Sequence, residues 1–179
     1  LTGDQVLVHP YDAATSEFDH AWVEATIEHF GRLDALINNA GIMIPRTVIE
    51  AEDADIDEIF DINVKAPLRL ARAAWPHLKK TGAGRVVSVV SLSGHRVKSS
   101  RSGLYAMSKF AALALSHALR KEGWEDGVRA TALCPGLVAT DMGESVGNIA
   151  PEQMTQPEDL ARLVSMALNL SLIHISEPT

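Results

Sequence analysis

Sulfur chemistry is nearly missing from this sequence. It has one cysteine, Cys134, so no intrachain disulfide can form and no cysteine metal cluster exists. No apolar run reaches the roughly 18 residues a membrane-spanning helix needs. A positive excess is missing too: 16 Lys and Arg stand against 23 Asp and Glu, a formal net charge of −7. That balance argues against a nucleic-acid partner. Nothing at the start reads as a secretory leader, so a cytoplasmic protein with no membrane partner is expected. The first residue is Leu1 rather than Met, which reads as a processed chain or a fragment. What is present suits one globular domain with a proper core: 179 residues, 46% hydrophobic and 22% charged.

The patterning alternates. QVLVHPYD (5–12) reads as a strand ending at an acidic loop. SEFDHAWVEATIEHFG follows as an amphipathic helix through Phe18, Trp22, Ile27 and Phe30, stopped by Gly31. DALINNAG is a short buried strand running into an Asn-Gly-rich turn. Residues 55–80 read as a long helix in which Pro67 predicts a kink or short break. GRVVSVVSLSG is a nearly continuous apolar run, the mark of a parallel strand covered on both faces. Helix 102–123, a buried strand VRATALCPG and a final amphipathic helix PEDLARLVSMALNL complete the chain. Strand and helix in turn imply an α/β fold with right-handed crossovers and a parallel sheet carrying helices on both faces. Ligands of such sheets lie beyond the carboxyl ends of the strands. Four ends should meet there, at Asp12, at Asn38-Asn39-Ala40-Gly41, at Ser91 and at Pro135-Gly136.

Helix 102–123 carries Tyr105 and Lys109 at i and i+4, one above the other, among Phe110, Leu113, Leu115 and Leu119. A lysine so placed stabilises a phenolate and should lower the tyrosine pKa from about 10, making a usable general acid. Taken alone, the pair is better explained by packing of Tyr105 at the helix start with Lys109 snorkelling to water, and the rest of the chain must decide.

NNAG (38–41), SLSG (91–94), YAMSK (105–109) and PGLVAT (135–140), with Asn63 in FDINVKAP, closely resemble the short-chain dehydrogenase/reductase family. The resemblance runs from about residue 5 to residue 168. It implies a Rossmann-like, doubly wound parallel sheet and an NAD(P)-dependent oxidoreductase acting on a small carbonyl or secondary alcohol. It implies that Tyr105 exchanges a proton with the substrate oxygen and that Ser91 polarises that oxygen. Lys109 would lower the tyrosine pKa and bind the nicotinamide ribose. Asn63 would hold a water linking Lys109 to solvent. Asn38, Ala40 and Gly41 would line the adenine-side ribose path, and Asp12 and Ala13 would meet the adenine. Pro135, Gly136, Val138 and Thr140 would bracket the nicotinamide. The long helices at 55–80 and 102–123 would pair copies into a homodimer or homotetramer. The physical chemistry agrees with the central role, since a hydroxyl and a phenol stabilise charge developing on a carbonyl oxygen. A non-catalytic dinucleotide-fold sensor or scaffold is the second class, though it has no need of the acid. A serine hydrolase is disfavoured, because SLSGH lacks the glycine of a nucleophile elbow.

Departures from the family are informative. No TGxxxGxG turn precedes residue 5, so the glycine-rich pyrophosphate cradle and the selector between NAD and NADP are not in this sequence. Residues 1–169 are therefore expected to be one Rossmann-like domain lacking its amino-terminal βαβ part. LSLIHISEPT (170–179) matches the in-frame translation of a transposon-end sequencing adapter and is expected to be non-native. Val90 stands where the family often has serine. Cys134 reads as a small core residue. HRVKSSRSG (95–103) reads as a solvated basic loop. Residues 142–156 read as a mobile lid over the substrate.

Overall fold

The computed structural model describes residues 5–146 and 149–170. Three parallel strands, β1 (Ala35–Asn38), β2 (Arg85–Val89) and β3 (Arg129–Leu133), form one sheet in the order β1-β2-β3. The central strand buries Val86 and Val87, neighbours that point to opposite faces. Leu36, Val86 and Ala130 lie in register. They share a core with Val23 of α1 (Glu17–Phe30), Leu70, Ala74 and Leu78 of α3 (Ala66–Lys80) and Leu119 of α4 (Gly103–Glu122). The alternate row contains Val87 and Thr131, and α6 (Pro157–Asn169) lies against β2. Two short helices complete the described chain, α2 (Asp53–Phe60) and α5 (Asp141–Val146). No described helix is long and apolar enough to cross a membrane.

Residues 5–12 do not form the expected strand. A strand exists only through a neighbour that accepts and donates its backbone bonds, and among the described residues β1 pairs with β2 alone. Val8 is accordingly 87% exposed. The crevice is thus framed by three strand ends and the Asp12 loop, rather than by four strands. Phe30, read on the apolar face of α1, is exposed at the last helical residue, where its ring meets His29 edge-on at 4.4 Å.

The break expected near Pro67 is a single turn of π-helix, Asp61–Lys65, between α2 and α3. Pro67 has no N–H for the Asn63 carbonyl four residues back, and its ring would collide with that carbonyl in an unbroken α-helix. The chain widens instead, and the Ala66 N–H reaches the Asp61 carbonyl five residues back. π-turns of this kind re-aim side chains, often at functional sites. The one here carries Asn63. Of the adapter-like tail, residues 171–179 lie outside the described residues. The Leu170 carbonyl accepts a bond of 2.8 Å from Arg85 Nη2.

Two turns depend on left-handed glycines. Gly31 (φ 75°) closes α1 with its N–H on the Ile27 carbonyl at 2.8 Å, and a Cβ there would meet nothing. Gly127 (φ 73°) sits where a Cβ would fall 2.1 Å from the Gly82 carbonyl oxygen. Gly31→Ala should therefore cost about 1 kcal/mol from backbone conformation alone. Gly127→Ala should cost on the order of 3 kcal/mol or more, because a backbone clash is added. Denaturant midpoints of the two variants check the ranking, and equal losses would contradict it.

Candidate active site

β2 ends beside β3, and the chain then turns. Val90 N–H bonds the Leu133 carbonyl at 2.8 Å, and Leu92 N–H bonds the Pro135 carbonyl at 2.8 Å. These bonds fasten the Ser91 turn to the Pro135-Gly136 turn. Ser91 Oγ accepts the Ser93 N–H at 3.0 Å and lies near enough to the Tyr105 hydroxyl to act on its pKa. Tyr105 and Lys109 project from the first two turns of α4. Lys109 Nζ lies 5.6 Å from the centre of the Tyr105 ring and donates to the Val89 carbonyl at 3.3 Å.

Asn63 closes the other side. Its Oδ1 accepts the Ile42 N–H at 2.8 Å, and its Nδ2 donates to the Ile42 carbonyl and to Ser108 Oγ, both at 2.9 Å. Ser108 in turn donates to the Tyr105 carbonyl at 2.8 Å. One amide thus ties the π-turn, the segment after Gly41 and α4 together. Gly41 packs against this knot: a Cβ there would come within 3.2 Å of Asn63 Oδ1 and 3.3 Å of Lys109 Nζ. Only glycine leaves that space open. Asn63, Ser91, Tyr105, Lys109 and Gly41 are therefore gathered at one place.

Burial sets the electrostatics. Lys109 is held down to about 8 by burial, opposed by the Cys134 sulfur beside it. Tyr105 is not acidified as expected. Burial raises its pKa above the ordinary 10, and the bond from Ser91 opposes that rise only partly. The ammonium lies toward the ring and the Val89 carbonyl, so the desolvation of the phenol dominates.

The second part of the site is a cleft of about 200 Å3 beyond the end of β1. Ala13, Asn38 and Ala40 line it, together with Tyr11, Trp22 and Ile62. Asn38 is buried; its Nδ2 reaches Ser88 Oγ at 3.5 Å, and its Oδ1 has no partner. Asp12 is exposed and turns its Oδ1 onto the Ala14 N–H at 2.9 Å. Val138 bridges Thr155, and Thr140 Oγ1 accepts the Gly143 N–H at 3.4 Å. Those bonds tether both ends of the segment read as a lid, which contains α5. A wider groove of about 610 Å3 lies between α3 and α4, lined by Leu68, Trp75, Lys79 and Leu119, and none of the four candidate catalytic residues borders it.

Sequence reasoning missed a buried cluster beside the cleft. Asp19, 2% exposed, pairs with Arg69 at 2.6 Å and accepts the Tyr11 hydroxyl at 3.0 Å. A signal for it existed: Asp19 stands on the stripe of α1 that also carries Trp22, Val23 and Thr26.

Fold and site together define an α/β protein with a Ser-Tyr-Lys cluster at the carboxyl ends of parallel strands. The family model of the short chain dehydrogenases matches residues 1–149, so the chain belongs to that family. It is 42% identical over 161 residues to an agropine synthesis reductase of Rhizobium rhizogenes, covering 88% of this chain and 37% of that protein. A short chain dehydrogenase of Burkholderia cenocepacia in complex with NADP superposes with a TM-score of 0.80 at 31% identity, covering 88% of this chain and 66% of that one. An alcohol dehydrogenase of the archaeon Thermococcus sibiricus complexed with 5-hydroxy-NADP gives a TM-score of 0.83 at 28% identity, covering 94% and 71%. The chain therefore spans little more than a third of the curated relative and about two thirds of the solved ones.

The Lys109 shift has a thermodynamic consequence. Its folded value, about 8, lies below the ordinary 10.5. Between those values the unfolded chain binds more protons than the folded one, so stability rises with pH. Below about 8 the folded state carries the buried ammonium at full cost. The raised Tyr105 value acts in the opposite sense, but only above its ordinary 10. From pH 8 to 10 the denaturation midpoint of the native protein should climb relative to that of Lys109→Met. Parallel curves would contradict the shift.

Proposed function

We propose that this chain is the catalytic part of an NAD(P)-dependent oxidoreductase that interconverts a carbonyl and a secondary alcohol, with Tyr105 as general acid and base. The gathering of Ser91, Tyr105, Lys109 and Asn63 at the strand ends carries this reading. The NADP and 5-hydroxy-NADP held by the two solved relatives support the cofactor class.

The residues fit such a group. Asn38 Oδ1 is a buried acceptor without a partner, and Lys109 spends one of its N–H groups on a backbone carbonyl. A ribose-bearing ligand offers hydroxyls to both. Gly41 keeps the approach between them open. When bound, the nicotinamide supplies or accepts the hydride. Everything else falls to the chain. In the reducing direction the Ser91 hydroxyl donates to the substrate oxygen and holds it beside Tyr105. The phenol, kept protonated near neutral pH by its burial, passes its proton to that oxygen as charge develops there. Lys109 then stabilises the phenolate until it regains a proton. Asn63 holds α4 and the Ile42 segment at fixed spacing throughout. In the oxidising direction the proton moves back.

Residues 1–169 act as one domain within a longer protein whose preceding residues provide the pyrophosphate cradle. Such a protein forms a homodimer or homotetramer through α3 and α4, where Leu68, Met107 and Phe110 are exposed. Light scattering at micromolar concentration tests the assembly, and a monomer would exclude it. For the chemistry, Tyr105→Phe in the longer protein should keep dinucleotide binding and lose about 10²–10⁴ in turnover. Turnover within a few-fold of the native protein, assayed by nicotinamide absorbance on a panel of ketones and alcohols, would overturn the assignment.

A further inference from the structure

The cleft beyond β1 is bounded on one side by residues 11–15, which belong to no strand and no helix. Backbone of that kind needs something else to fix it. Part of the answer is local: Asp12 accepts the Ala14 N–H through Oδ1 and the Thr15 N–H through its carbonyl, at 2.9 and 3.3 Å. The rest comes from α3. Arg69 Nη2 donates to the Ala13 and Thr15 carbonyls at 2.8 and 2.9 Å. Its Nε donates to Asp19 Oδ2 at 2.6 Å, and Asp19 Oδ1 accepts the Tyr11 hydroxyl at 3.0 Å. One guanidinium–carboxylate pair thus ties Tyr11, Ala13 and Thr15 to α1 and α3 at once.

We infer that Arg69 is a positioning residue that sets the spacing between residues 11–15 and Asn38–Asn39–Ala40, and with it the affinity of the cleft for the adenosine half of the cofactor. This rests on the dinucleotide reading given above. Three features carry it. Ala66, Pro67 and Leu70 of α3 line the cleft together with Tyr11 and Ala13, so the helical turn that carries Arg69 borders the same cleft as the loop it bonds. Asp19 is buried and Arg69 is half-buried, so their hydrogen bond is partly shielded from competing water and its geometry is held. Tyr11 lines the cleft and packs on Trp22 with ring centres 5.1 Å apart, so the position of that wall depends on the Asp19 bond. Burial and the bond to Asp19 keep the Tyr11 phenol protonated well above its ordinary value, so the donor is constant over the working pH range.

Arg69→Lys is the discriminating change. Lysine keeps a cation beside Asp19, but a single ammonium cannot reproduce the planar fork that holds two carbonyls while paired. In the longer protein, ADP binding measured by calorimetry should weaken about tenfold, which corresponds to about 1.4 kcal/mol. The KM for the dinucleotide should rise in step, kcat at saturation should stay within twofold, and the thermal midpoint should hardly move. Tyr11→Phe, which keeps the ring and removes one bond, should weaken ADP by a smaller factor in the same direction, and it serves if Arg69→Lys does not fold. ADP affinity unchanged in the folded variants, or kcat lost as heavily as affinity, would overturn the positioning role. A native protein that binds ADP but not the dinucleotide, or binds neither, would instead overturn the cofactor reading.

Discussion

The site depends on one side-chain amide. Asn63 forms three hydrogen bonds, to Ile42 N–H, the Ile42 carbonyl and Ser108 Oγ, and the other candidate groups take their places around them. It can do so because Pro67 denies the helix an ordinary α-turn at that point. The π-turn is thus the outcome of a local conflict between helix continuity and a proline ring. Its product is a polar side chain 2% exposed, with both ends of the amide satisfied. A buried amide with open ends would cost about 1–3 kcal/mol per unsatisfied group, so the three bonds decide whether the turn is tolerable. Ser108 extends the knot to the Tyr105 carbonyl. The helix that carries Tyr105 and Lys109 is therefore positioned by the widened turn through two hydrogen bonds.

The electrostatics follow from the same closeness. Gly41, Asn63 and Lys109 crowd together, and the lysine is consequently 94% buried by surface area. Desolvation then pulls the ammonium down and pushes the neighbouring phenol up. The two shifts leave both groups protonated near neutral pH, the phenol with a wide margin and the ammonium with a narrow one. Tyr105 stays protonated there, while Lys109 holds its charge with little in reserve. The proposed carbonyl reduction would need a protonated acid first and the charge of Lys109 once a phenolate formed. The arrangement suits both demands without the phenol being ionised beforehand.

Much of this was legible in the residues. The helix bearing Tyr105 and Lys109 follows from apolar spacing and closes within a residue or two of Gly123, and the i, i+4 pair does share one face. The buried strand RVVSV follows from its nearly continuous run of valines. What could not be read locally depends on partners distant in the chain. Val6 and Val8 favour extended backbone, yet no described strand pairs with them. The direction of the Tyr105 shift depends on how deeply α4 is covered, which the i, i+4 spacing does not encode. Arg69 and Asp19 are 50 residues apart, and the fork to Ala13 and Thr15 spans more still. The break at Pro67 was visible in the sequence, but the π-turn that resolves it depends on Asn63 having somewhere to bond.

The two ends of the sheet divide their work. At the amino ends of β2 and β3, Arg85 and Arg129 lie in register and both are buried. Arg85 Nη1 donates to the Ala83 and Gly84 carbonyls, and Arg129 Nη1 donates to those of Trp124 and Val128 while its guanidinium stacks 3.7 Å over the Trp124 ring. Two like charges side by side depress the Arg85 value further than burial alone, yet Arg85 cannot shed its proton near neutrality. Their bonds fasten the turns before each strand. Each arginine also buries an Nε without a partner among the described residues. At the carboxyl ends open space is added. Lys109 keeps donors unspent, Asn38 Oδ1 has no partner, and Gly41 leaves room where any side chain would fill it. Unsatisfied polar groups lower stability at either end of the sheet. Ligand-binding capacity sits beyond the carboxyl ends because a cleft and the bare backbone of Gly41 leave room beside polar groups there, while the guanidiniums at the amino ends are bonded into the turns that precede their strands.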